Sequence, residues 1–125
     1  MENNSFEGLL LQTPYENRLA AIAETFTQLQ RDLSLPPGEL VFDGNPDMAY
    51  RQLLEYIEPF LDELLKAGSN KFSRMLYKVD ISEALLNKKL NANKSKSYVR
   101  VVSEIIIYRA FQKVVTKRLS RENKL

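Results

Sequence analysis

The chain has no cysteine and no histidine among its 125 residues, and only four glycines. Without cysteine there is no disulfide, no thiolate zinc site and no Cys nucleophile. Without histidine, Ser-His-Asp and Cys-His arrangements are excluded, as are His-ligated haem and the ordinary zinc sites. Gly8, Gly38, Gly44 and Gly68 stand too far apart for a G-x-G-x-x-G turn or a P-loop. No serine is followed three residues later by lysine, so an S-x-x-K arrangement is missing too. The first five residues carry no basic group, and the run Leu9-Leu10-Leu11 is too short for a signal-peptide core. No apolar stretch reaches membrane-span length. The expectation is a soluble cytoplasmic protein with no membrane association and no cofactor.

What is present is ordinary in amount and unusual in distribution. The 44% apolar and 27% charged fractions fit one soluble domain with a real core. The charge, however, is divided along the length. Residues 1–65 hold twelve carboxylates against Arg18, Arg31 and Arg51, a net of −9. Residues 66–125 hold fifteen Lys and Arg against Asp80, Glu83, Glu104 and Glu122, a net of +11. The total of +2 hides this split. Such asymmetry points either to an acidic, nucleic-acid or membrane partner, or to two halves that attract each other.

Hydrophobic spacing predicts an all-α protein, a single compact bundle of four to six helices. Residues 1–12 are polar with isolated apolar residues and read as a flexible tail, leaving 13–125 as one helical domain. Thr13-Pro14-Tyr15-Glu16 has the form of a capping box with proline at the first helical position. Leu19, Ile22, Ala23, Phe26, Leu29 and Leu33 then follow at helical spacing. Residues 35–46 hold two breaker clusters and form the one possible internal linker. Asn45-Pro46 repeats the cap-then-proline start, and Gly68 supplies a stop. Pro59 inside that second segment must kink the helix or end it. A short helix over Phe72–Val79 is broken at Asp80-Ile81-Ser82, where Asp80 or Ser82 can cap the next helix, Glu83 to about Leu90. The last helix should run from about Ser97 to Leu119. Its first half is rich in Val and Ile, which favours a strand. Yet Arg100, Glu104, Arg109 and Gln112 do not alternate with period two, so a largely buried C-terminal helix is the better reading.

Two clusters could carry chemistry. Glu55, Glu58 and Asp62 share one helix face and could bind a hard cation or act as acid and base. A di-iron site of the ferritin kind would also need Glu-x-x-His, which the chain cannot supply. A stripe of this kind is more often the solvated side of an amphipathic helix. Lys88, Lys89, Lys94, Lys96 and Arg100 form the densest basic cluster. Lys94, Lys96 and the backbone at the start of the last helix could hold a phosphate, and Tyr98 could stack on a base. The connection is too long for a helix-turn-helix reader, and the second helix is too apolar to lie in a groove.

The strings Met75-Leu76-Tyr77-Lys78-Val79-Asp80-Ile81-Ser82-Glu83 and Gln112-Lys113-Val114-Val115-Thr116-Lys117-Arg118 add a resemblance. Over residues 72–118 the chain resembles a group of small uncharacterised bacterial proteins. They share an L-Y-[RK]-[IV]-D-[IV]-S-E segment and a long C-terminal helix. The resemblance implies helix and no activity. The expected function is therefore a non-enzymatic interaction or accessory protein of the bacterial cytoplasm, binding a protein partner or itself. Nucleic-acid or other polyanion binding through the basic half is the alternative, and a carboxylate-based enzyme comes third.

Overall fold

The computed structural model describes residues 6–123. Among them are six α-helices and no strand: α1 (Phe6–Gln12), α2 (Arg18–Asp32), α3 (Ala49–Ala67), α4 (Ser69–Val79), α5 (Glu83–Ala92) and α6 (Tyr98–Asn123). Short 3₁₀ turns, Tyr15–Asn17 and Pro46–Met48, lead into α2 and α3. The helices pack compactly around α6, which touches all five others.

The burial of α6 explains why its β-branched residues do not make a strand. Val101, Val102, Ile105, Ile106, Ile107, Ala110, Phe111 and Val114 are all buried, on every side of the helix. A helix that is apolar all round is stable only when surrounded, and here it is. Ser103 sits in the same core with its hydroxyl unpartnered.

Side-chain contacts fix the directions. Glu24 of α2 meets Arg118 and Arg121, and Asp32 meets Lys113, so α2 runs antiparallel to the C-terminal half of α6. Phe6 bridges Tyr50 and Phe111, and Glu58 pairs with Arg100, so α3 runs antiparallel to the N-terminal half. The ring contact Phe72–Tyr98 and the ion pair Asp80–Arg109 set α4 parallel to α6.

Several local expectations change. Residues 6–12, expected within a tail, are helix α1, and Phe6 is buried with its ring 4.7 Å from that of Phe111. The remaining tail residues, 1–5, lie outside the described residues. Because α1 precedes it, Thr13 does not cap forwards; its hydroxyl donates back to the Leu9 carbonyl at 3.0 Å. Asn45 does cap, accepting from the Asp47 N–H at 3.0 Å with Pro46 behind it. α3 runs unbroken through Pro59, whose exposed position lets water solvate the carbonyl that proline leaves unpaired. Residues 35–45 carry no α-helix, yet Leu40 is buried and the Phe42 ring lies 5.2 Å from Phe26, so the crossing is pinned to the core. Of the two possible caps, Ser82 opens α5 by accepting from the Leu85 N–H, while Asp80 closes α4.

Candidate functional site

The five cations singled out in the sequence lie along the end of α5, the turn that follows and the first turn of α6. The structure divides them. Arg100 donates through Nε to Glu58 and lies 3.9 Å from Glu104. The hydrogen bond to Glu58 holds the guanidinium pKa above its usual value. Lys96 donates to both oxygens of Glu104, at 3.0 and 3.2 Å. Lys88, Lys89 and Lys94 form no ion pair among the described residues. At the start of α6, where the sequence offered a possible phosphate contact, Lys96 turns to Glu104 and the Ser97 hydroxyl accepts the Arg100 N–H at 3.1 Å. Tyr98 packs its ring 5.9 Å from Phe72, and burial pushes its hydroxyl pKa up.

Sequence reasoning missed the cations of α4. Lys71, Arg74 and Lys78 are exposed, at helical spacing on one face. Lys78 donates to the Ser34 hydroxyl at 2.6 Å, and none of the three forms an ion pair among the described residues. Residues 69–97 thus hold seven cations against Asp80 and Glu83, and Arg109 already occupies Asp80 at 2.6 Å. Tyr77, 88% exposed, stands among them. The helical spacing of residues 71, 74 and 78 is the sequence signal for this face, weaker than the denser run of cations over 88–100.

The carboxylates disperse. Glu55 faces Arg51 in solvent at 3.7 Å, Glu58 is taken by Arg100, and Asp62 is exposed. No metal-ligating cluster exists among the described residues.

The larger groove, about 660 Å³, runs between α5 and α6 and is closed by α1 and the start of α3. Phe6, Val101 and Ile105 form its apolar floor. Leu85 and Lys89 on one face of α5, with Asn93 just past its end, make one wall. Tyr50 and Glu7 stand opposite, and Glu104, Tyr108 and Gln112 continue along α6. Burial, together with Glu104, Glu7 and Glu58, raises the Tyr50 pKa above its usual value. A smaller groove of about 260 Å³ lies between the end of α1 and the C-terminal half of α6, lined by Leu9, Pro14, Val115 and Leu119. Set against protein-family models, curated proteins and solved structures, the chain matches none of them, so its function is read from these residues alone.

Proposed function

We propose that the chain is a non-enzymatic binding protein that docks an acidic protein surface on its α4–α5 side. The observation that carries this is the fate of the charge. Arg100, Lys113, Arg118 and Arg121 of α6 face carboxylates of α2 and α3, whereas Lys71, Arg74, Lys88, Lys89 and Lys94 face none among the described residues. Exposed Tyr77 supplies an aromatic anchor of the kind that protein interfaces favour. The resemblance of residues 72–118 to small bacterial proteins extends the proposal to an accessory protein of the bacterial cytoplasm.

The test is cross-linked capture from cells with the native protein and with a Lys71→Glu/Arg74→Glu/Lys88→Glu/Lys94→Glu variant. A partner retained by the native chain and lost by the variant is expected. An identical captured set would overturn the docking face. The same unpaired lysines favour polyanion binding as the second reading. There, labelled DNA should lose affinity steeply between 50 and 200 mM salt, by about tenfold or more for a few phosphate contacts. Since much of α6 is buried, it cannot be the helix that enters a nucleic-acid groove.

A further inference from the structure

The basic α4–α5 face has a counterpart of opposite sign on the same molecule. Residues 39–67 hold six exposed carboxylates against Arg51 and Lys66, a net of −4, once Glu58 is set aside as the partner of Arg100. Asp62 forms no ion pair among the described residues. The Arg51–Glu55 and Lys66–Glu63 pairs are loose, at 3.7 and 3.8 Å in open solvent. Exposed pairs of that kind contribute little and exchange readily for others. On the α4–α5 side, with Lys96 and Asp80 set aside as paired, six cations stand against Glu83, a net of +5. The unmatched charges are thus opposite in sign and similar in size, as a self-complementary surface requires.

The two sets do not meet within the molecule. Although α3 and α4 pack together, no ion pair among the described residues joins α3 to α4 or α5. Their spacing matches all the same. Lys71 and Lys78 stand seven residues apart on α4, as Glu55 and Asp62 do on α3, so each row spans about two helical turns, roughly 10.5 Å. Two helices laid side by side therefore bring both ends of one row against both ends of the other. Exposed Pro59 and Leu65 lie among the α3 carboxylates, an uncharged surface for the Tyr77 ring. We infer that the acidic surface docked by the α4–α5 side is the α3 side of a second copy of this chain. The inference rests on the docking proposal and names its partner.

The experiment is sedimentation equilibrium of the full chain at rising protein concentration, in about 50 and about 300 mM salt. The native chain should associate at low salt, with a dissociation constant at least about tenfold weaker at high salt. Lys71→Glu/Arg74→Glu and Glu55→Lys/Asp62→Lys should each be monomeric alone, because each sets like charges against like. An equimolar mixture of the two variants should associate again, since both contacts then join opposite charges. Lys71, Arg74, Glu55 and Asp62 are exposed, so unchanged far-UV circular dichroism certifies each fold. Lys71→Gln/Arg74→Gln, which should weaken association about tenfold, takes the place of a reversal that unfolds. A monomeric native chain, association indifferent to salt, or a mixture that stays monomeric would each overturn the inference. A monomeric native chain that still captures a cellular partner through Lys71 and Arg74 leaves the docking face standing and gives it to another protein. Failure of both tests removes the face as well.

Discussion

Asp80 shows how much one residue can do at a helix end. Among the described residues, it and Ser34 are the non-glycine positions with positive φ, at 70° and 55°. Each closes a helix in the same way: Ile81 N–H bonds back to the Leu76 carbonyl, and Leu35 N–H to that of Gln30, at 3.0 and 2.9 Å. Glycine is the usual occupant of such a position, but aspartate tolerates it better than most side chains. Asp80 also accepts from Arg109, and that hydrogen bond holds its pKa below the usual carboxylate value. A carboxylate whose folded pKa is lowered contributes stability that is full above the unfolded pKa, near 4, and is lost as pH falls through the lower folded value. Asp80→Asn keeps the left-handed conformation and removes the charge. Its urea midpoint should fall slightly below the native one at pH 7, and the gap should close in acid below about pH 4. A gap that persists unchanged at pH 2 would show that the ion pair is not its source. The break at Asp80-Ile81-Ser82 was legible in the sequence. Arg109, twenty-nine residues on, was not, because only the packing of α4 beside α6 brings it near.

At the scale of elements, α1 is the helix that pattern reading missed. Seven residues including Gly8 are too few to hold a helix alone. The signal was there in Phe6, Leu9 and Leu10 at helical spacing, but only docking makes it count. Phe6 is the anchor, with Tyr50 at 5.2 Å and Phe111 at 4.7 Å. Phe6→Ala should cost about 3 kcal/mol in a denaturant titration. Hydrogen exchange should then quicken across Leu9–Gln12 more than across α6, because Phe6 is the one fully buried residue of α1. Equal loss of protection everywhere would mean that α1 unfolds only with the whole bundle. Pro59 makes the opposite point. The sequence left open a kink or an end, and the helix continues because Leu53, Leu54, Ile57 and Leu61 are all buried across the proline. Burial of that face outweighs one missing hydrogen bond on the solvent side.

At the scale of the whole molecule, the divided charge becomes a set of pairs. α2 meets α6 through Lys113–Asp32 at 3.2 Å and Arg118–Glu24 at 2.7 Å, and α3 meets it through Glu58–Arg100. The Lys113–Asp32 pair is the most enclosed, and Asp32 is further held by the Gln28 amide at 3.0 Å. Lys113→Ala leaves that carboxylate buried without its cation. The expected loss is about 1–3 kcal/mol of stability, measured by urea unfolding. The double variant Lys113→Ala/Asp32→Ala should then cost less than the sum of the two single changes. Strict additivity would mean that the pair contributes nothing. Exposed pairs such as Arg51–Glu55 should matter far less, at about 0–1 kcal/mol.

The sequence by itself determined that the chain is helical, where most helices start and stop, that α6 must be buried, and which catalytic chemistries have no residues to perform them. These are properties of local spacing, capping and composition, and they need no neighbour distant in the chain. Tertiary structure alone decided which charges are used and which are left. Lys96 and Arg100 belong to the same basic run as Lys88, Lys89 and Lys94, yet the first two are matched by Glu104 and Glu58 while the others are not. The physical reason is that ion pairing depends on distance in space, and the antiparallel packing of α2 and α3 against α6 sets those distances. The groove beside Lys89 arises the same way, from four helices contributed by both ends of the chain.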